Sequence, residues 1–277
     1  MNSEKTKVFI NKLSSNYCLN ELFDLNFINI MRQSPQPINE FVKYSGSNGA
    51  RFLESSFDSF VFNLSFSIAA KTKDDLILQI SSLYSFIYDD DKYYINYSKE
   101  PGKRFKVKPR PWEEESRGAY KKVIKIDFDV YEGHAESLFT TLSSEGFNDN
   151  IFQFGQGLPT EDYQYQHNKN NFIIYNAGDF TVDPREHELI IAIKGVSEGA
   201  VNVFNKTTGE RFIYNGSLYS TKGEVLTVDG VYPKKNGVNC GIETNGGLIT
   251  LVPGENEIQI SNLSRTEVSF DFRFLYK

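Results

Sequence analysis

Phe60, Phe62, Leu64, Phe66 and Ile68 alternate with mostly small or polar residues. A period of two puts those five side chains on one face of a half-buried antiparallel strand. The same alternation returns at Ile124, Ile126, Phe128 and Val130, with Lys125, Asp127 and Asp129 between them, and more briefly at Tyr93, Ile95 and Tyr97. Between the first and last of these strands the period changes. Thr72 can cap a helix, Asp75 stands three residues on in capping-box position, and Asp74 suits the positive end of the helix dipole. Leu76, Ile77, Ile80, Leu83, Tyr84 and Ile87 follow as one apolar stripe of an amphipathic helix. Asp89-Asp90-Asp91 ends it, because acidic residues are unfavourable at a helix C-terminus and suit a turn. Before the first strand lie short polar-punctuated segments and the turn-like Ser45-Gly46-Ser47-Asn48-Gly49. Lys99 to Gly118, with Pro101, Pro109 and Pro111, reads as a long hairpin-like loop between two strands.

From Ser137 to Asn171 the pattern weakens, and stretches such as Gly155-Gln156-Gly157-Leu158-Pro159 read as a connector. The remainder is all β. Strands are expected at Phe172–Tyr175, Leu189–Ile193, Val201–Phe204, Arg211–Tyr214, Val225–Val228, Leu248–Val252, Glu257–Ile260 and Glu267–Tyr276. Turn signals separate them: Asn205-Lys206-Thr207-Thr208-Gly209, Asp229-Gly230, Asn236-Gly237, Asn245-Gly246-Gly247 and Pro253-Gly254. Short strands at this spacing predict a jelly-roll β-sandwich. The fold class is mainly β, with an N-terminal domain over 1–140 and a C-terminal sandwich over 141–277.

Composition agrees with a packed β protein. Among 277 residues there are 23 Phe and 16 Tyr, side chains that fit the pleated surface of strands. A formal net charge of −6 argues against general binding to nucleic acid or to an anionic membrane surface. Cys18 and Cys240 are the only cysteines and read as two unpaired thiols in a reducing compartment. The longest apolar run near the N-terminus is Val8-Phe9-Ile10, too short for a signal-peptide core, so folding in a cytoplasm is expected. No stretch approaches the length needed to span a bilayer.

Catalytic chemistry finds little support. His134, His167 and His187 are dispersed, and His134-Ala135-Glu136 matches the H-x-E of zinc deaminases without their P-C-x-x-C. Asp89, Asp91 and Glu100 occupy three positions of a calcium loop, but Tyr93 and Tyr94 stand where a ligand and the required Gly belong. There is no G-x-S-x-G elbow, phosphate-binding loop or dinucleotide fingerprint. No enzyme, cofactor or metal is expected. One charged feature stands out: Lys103, Arg104, Lys106, Lys108 and Arg110 form a basic run, followed by Trp112 and Glu113-Glu114-Glu115. It reads as a solvated protruding loop, or as the basic side of a contact between identical subunits, where charge sets register more than affinity. Contact with a passing nucleic acid is a third, weaker reading.

The order of these features resembles the distal tail proteins of siphophages. In the N-terminal half the resemblance rests on Gly46-Ser47-Asn48-Gly49-Ala50 with the aromatic strand Phe60 to Ile68, on the capped helix Thr72 to Tyr88, and on the closing strand Ile124 to Tyr131. In the C-terminal half it rests on Asn176-Ala177-Gly178, Asn205 to Gly209, Pro253 to Ile258 and Phe270-Asp271-Phe272-Arg273-Phe274. The resemblance implies a split-barrel-like N-terminal domain and a galectin-like C-terminal sandwich. It also implies a virion component, assembled in the host cytoplasm, that closes into a homo-hexameric ring around a channel for DNA in transit. Such a ring joins the tail tube protein to tail fibre or receptor-binding proteins and needs no membrane. Some relatives carry an inserted sugar-binding module or a long arm for the receptor-binding protein; the short turns here leave no room for either. A carbohydrate-binding module is the alternative function, with Tyr163, Tyr165 and Tyr219 as stacking platforms.

Overall fold

The computed structural model describes residues 6–12, 15–143 and 163–277; the connector stretch Gly155 to Pro159 lies outside them. The chain divides into two compact units, Met1–Ala135 with Lys277, and Glu136–Tyr276. Both are built mainly of strands.

The first unit contains β1 (Val8–Lys12), β2 (Ser15–Cys18), α1 (Leu19–Leu22), β3 (Asn26–Arg32), β4 (Gln36–Val42), β5 (Arg51–Asp58), β6 (Phe60–Ala69), α2 (Lys73–Ile87), β7 (Tyr93–Tyr97), β8 (Lys103–Pro109), β9 (Glu113–Ser116) and β10 (Lys121–Val130). One sheet runs β2-β1-β7-β8-β10-β6-β3, with β9 paired to the start of β10. β4 and β5 pair only with each other. The predicted alternation is realised in β6 and β10, which pair antiparallel from Phe60↔Val130 to Ala69↔Lys121. Phe60, Phe62, Leu64, Phe66 and Ile68 are buried, and so are Ile124, Ile126, Phe128 and Val130 across the ladder. Phe62 carries the core onward, with ring centroids 5.4 Å from Tyr97 and 5.3 Å from Phe105.

Helix α2 starts as its sequence dictates. The Thr72 Oγ1 accepts a hydrogen bond from the Asp75 N–H at 3.1 Å. Leu76, Ile80, Leu83 and Ile87 are buried. Ile77 and Tyr84, which the sequence places in the same stripe, instead face outward at 61% and 40% exposure. The segment Lys99 to Gly118 also differs from expectation, because β8 and β9 lie within it. Phe105 and Val107 are fully buried between half-buried lysines and Arg104, so this stretch is a strand of the sheet. Pro109 is tolerated as the last residue of β8, at the strand end.

The second unit contains β11 (Ala135–Ser137), β12 (Gln166–His167), β13 (Asn171–Asn176), β14 (Leu189–Ser197), β15 (Val201–Asn205), β16 (Glu210–Tyr214), β17 (Leu218–Tyr219), β18 (Leu226–Asp229), β19 (Tyr232–Lys235), β20 (Val238–Asn239), β21 (Gly254–Ser261), β22 (Ser264–Phe272) and β23 (Leu275–Tyr276). One sheet runs β12-β22-β14-β18-β19-β20 and the other β13-β21-β15-β16, so the unit is a β-sandwich. Ile191, Ile193, Phe270 and Phe272 of the first sheet and Ile174, Val203, Phe212 and Ile258 of the second are all buried. The Phe172 and Phe270 rings meet between the sheets with centroids 6.0 Å apart. The gap left between the two layers is about 10 Å³, room for no more than one water.

Leu248 to Val252 does not form the expected strand; Leu251 makes only an isolated bridge with Val182. Three buried asparagines supply the hydrogen bonds that a neighbouring strand would otherwise give it. Asn205 Nδ2 donates to the Thr250 carbonyl at 2.8 Å and Asn176 Nδ2 to the Leu251 carbonyl at 2.9 Å. Asn256 Oδ1 accepts from the Val252 N–H at 3.0 Å. Removing one of these amides strands a buried backbone group, at a cost of about 1–3 kcal/mol.

Two expectations follow. Leu83→Asp forces a carboxylate into a fully buried site, costs several kcal/mol at least, and leaves the first unit unfolded by circular dichroism. Ile77→Asp, on the outward face, shifts stability by no more than about 0.5 kcal/mol. In the second unit, His167 stacks on Phe172 at 4.2 Å, and burial, with Lys169 nearby, holds its pKa below the ordinary 6.5. The unfolded chain therefore takes up that proton first, and the sandwich loses stability as the pH falls below 6.5. Thermal melts from pH 7.5 downward check this: the decline is shallower in His167→Gln.

Candidate self-assembly surface

The surface with the least support from its own chain is the β4–β5 hairpin. β4 and β5 pair antiparallel from Gln36↔Asp58 to Val42↔Arg51, with a bulge between Glu40 and Phe41. Residues 43–50 close the turn, and Gly46 and Gly49 adopt φ of +80° and +77°, which glycine takes without strain. Every residue of β4 except Val42, and every residue of β5 except Phe57, is exposed. The exposed positions include Phe41 at 60%, Phe52 at 57% and Leu53 at 55%. Phe41 and Phe52 face each other across the strands with ring centroids 5.9 Å apart. A two-stranded sheet alone is marginally stable in water, and this one offers its aromatic face to solvent. The sequence shows the turn but not the strands, because Gln36–Val42 lacks the clean alternation of a strand with one buried face.

The basic run lies elsewhere and has partners inside the first unit. Arg104 stacks over the Tyr94 ring at 3.7 Å. Lys106 Nζ meets the Glu132 carboxylate at 2.5 Å. Its partial burial works against the charge, but the Glu132 contact outweighs it and holds the ammonium above its ordinary value. Lys108 Nζ donates to the carbonyls of Asp90 at 2.8 Å and Asp91 at 3.1 Å. Arg110 Nε and one terminal nitrogen both donate to Asp129 Oδ1, at 2.9 and 2.5 Å. Lys103 is half-buried at the start of β8.

Beside this strand, Trp112 stacks on Tyr84 at 4.2 Å and donates its indole N–H to Glu114 Oε1 at 3.1 Å. Glu114 also pairs with Lys122. These contacts tie the outer face of α2 to β9.

The other singled-out residues serve the fold. Asp89 pairs with Lys12 at 2.5 Å, and that contact first of all keeps its carboxyl below the usual range. Glu100 accepts from the Tyr97 hydroxyl at 2.7 Å and faces Arg32 at 3.5 Å. The Asp89 and Glu100 carboxylates thus answer protein donors. His134 Nδ1 lies 2.8 Å from the Glu132 carbonyl. The Asp183 N–H donates to His187 Nδ1 at 3.1 Å, so that nitrogen is an acceptor. Of the three tyrosines considered as sugar platforms, Tyr165 is buried, with its hydroxyl on the Tyr175 carbonyl. Tyr163 stacks on Tyr175 and bonds Glu255, and Tyr219 bonds Glu198 beneath Lys222. Cys18 and Cys240 are both free thiols. No helix among the described residues is long and apolar enough to cross a membrane.

Residues 12–132, close to the whole first unit, match the family of the phage tail protein RIFT-related domain. Over 96% of this chain and 99% of the other, the fold is similar to the crystal structure of the Dit protein (gp 19.1) of phage SPP1, with a TM-score of 0.68 at 12% identity. The first unit thus carries a phage tail protein RIFT-related domain, and the chain has the fold of a distal tail protein. It is a structural component of the virion, located in the phage tail. Chains of the phage P2 baseplate in its activated conformation, with Ca or with Sr, are also similar across 97% of this chain at 10% identity. Their TM-scores of 0.47 and 0.48 are too low to bear on the fold. A search of curated protein sequences returns no match.

Lys106→Glu sets two carboxylates against each other at a half-buried position. It should lower the stability of the first unit by on the order of 1–2 kcal/mol, read as a shift in urea midpoint, and Glu132→Lys in the same chain should recover part of it.

Proposed function

We propose that this chain acts by geometry: six copies close through their first units into a ring at the distal end of the tail, around a channel that lets DNA pass. The ring joins the tail tube protein on one side to tail fibre or receptor-binding proteins on the other, and it catalyses no reaction. The observation that carries this reading is the β4–β5 hairpin, whose exposed Phe41, Phe52 and Leu53 lack cover from their own chain. A closed ring needs head-to-tail contacts in which one patch of a subunit meets a different patch of the next. A hairpin that pairs with no other strand of its unit can supply one side of such a contact. The resemblance in fold to the SPP1 Dit protein, described as a paradigm of the hub adsorption apparatus in phages infecting Gram-positive hosts, favours the same assembly. The basic run remains a candidate for a lesser contact, since most of its charges are answered within the unit.

Light scattering after size exclusion should find a species six times the 31.7 kDa chain, and negative-stain images should show a central hole. Phe41→Ser with Phe52→Ser should leave the monomer folded and the larger species absent. A double variant that assembles as the wild type does would remove the hairpin from the interface.

A further inference from the structure

The hairpin has a second face, chemically unlike the aromatic one. Glu40 and Glu54 stand directly opposite each other in the β4–β5 register, and Ile38 lies two residues before Glu40 on that same face. Both glutamates are exposed, and like charges placed directly across a strand pair repel. Among the described residues neither makes an ion pair. Arg51, the cation nearest to them along the register, stands over the Tyr44 ring at 5.4 Å. The hairpin therefore carries a concentrated negative charge beside an exposed isoleucine, at 48% exposure, with no answer from its own chain.

The complementary pattern occurs on another part of the same unit. Lys71 lies in the turn from β6 into α2 and Lys73 is the first residue of the helix, both exposed. The Ala70 N–H donates to the Tyr120 carbonyl at 3.0 Å and Ala69 is in register with Lys121, which brings a third exposed lysine to that turn. Lys73, Ile77 and Tyr84 share the outward stripe of α2, and Tyr120 is half exposed beside Lys121. Asp74 and Asp75 occupy the first turn of α2, where they favour the positive end of the helix itself.

We infer that the Glu40–Glu54 face of one subunit's hairpin docks on the Lys71, Lys73 and Lys121 corner of a second copy of this chain, with Ile38 against the Ile77 stripe of α2. This rests on the ring reading and names the surface that receives the hairpin. Lysines placed against the paired glutamates relieve their mutual repulsion and fix the strand register of the incoming hairpin. The apolar contact alone leaves that register free.

The test uses the full chain in three forms: Glu40→Lys with Glu54→Lys; Lys71→Glu, Lys73→Glu and Lys121→Glu; and all five changes together. All sites are exposed, so each form should fold, as circular dichroism will show. Each separate reversal should weaken assembly about tenfold or more at low salt by light scattering, and the combined form should regain it. Added salt should weaken the wild-type ring and strengthen neither reversal beyond it. A wild-type ring untouched by either reversal, or not regained in the combined form, overturns this contact and leaves the ring standing. A wild-type chain that remains monomeric at every concentration overturns the ring and this contact together.

Discussion

The ladder between β6 and β10 sets the frame for the rest of the first unit. Ten consecutive residue pairs run from Phe60↔Val130 to Ala69↔Lys121, and a slip by one position would turn every phenylalanine to the wrong face. Burial of each large side chain on that face contributes roughly 1.5–3 kcal/mol, which makes the register the best-determined feature of the unit. Its consequences spread outward. β3 takes its place on β6, and β8 and β9 share the opposite edge of β10 along its length. Because β8 is fixed there, Phe105 reaches Phe62 and Lys108 reaches the Asp90 and Asp91 carbonyls just beyond the end of α2.

Against that rigid frame the β4–β5 hairpin is the part of the unit with most to gain from a partner. β6 follows β5 after the single residue Ser59, so the hairpin is anchored at its base to the best-fixed strand of the unit. Beyond the base it holds itself by its own ladder and by the Phe41–Phe52 contact. An arm anchored at one end and held by its own ladder, with aromatic side chains exposed, loses little conformational freedom on docking, which favours association.

The sequence was legible where one face of a strand or helix is buried and the other is wet. β6, β10 and the Thr72 cap followed from periodicity alone. Strands with other constraints were harder to see. β8 has only Phe105 and Val107 as apolar positions, and the lysines and arginine around them suggested a solvated loop. In the structure those cations lie half-buried, because Tyr94, Glu132 and the carbonyls of Asp90 and Asp91 accept them, and none of these partners is near in sequence. The segment Leu248 to Val252 carries the apolar residues of a strand, yet its backbone is satisfied by asparagine side chains from positions 176, 205 and 256. No local pattern reveals that kind of substitution. The outward turn of Ile77 and Tyr84 was hidden for the opposite reason: a helix that is apolar on two faces looks, in one dimension, like a helix with one wide face.

The same ambiguity explains why a self-assembling surface is hard to read from a chain. Apolar residues that meet a second copy obey the periodicity of the complex, and in the monomer they look like misplaced core. Phe41, Phe52, Ile77 and Leu78 have that appearance: they are large, apolar, on regular elements, and exposed. Electrostatics carries the complementary signal. Within the first unit many charged side chains have been given a counter-charge or a carbonyl, often at half-buried positions, so an opposed pair such as Glu40 and Glu54 is conspicuous by its lack of one. Tolerated repulsion on an exposed strand costs little in the isolated subunit, because water screens it. It acquires direction only when a second surface excludes that water, and a contact built this way favours one register over its neighbours without holding the free subunit in an aggregated state.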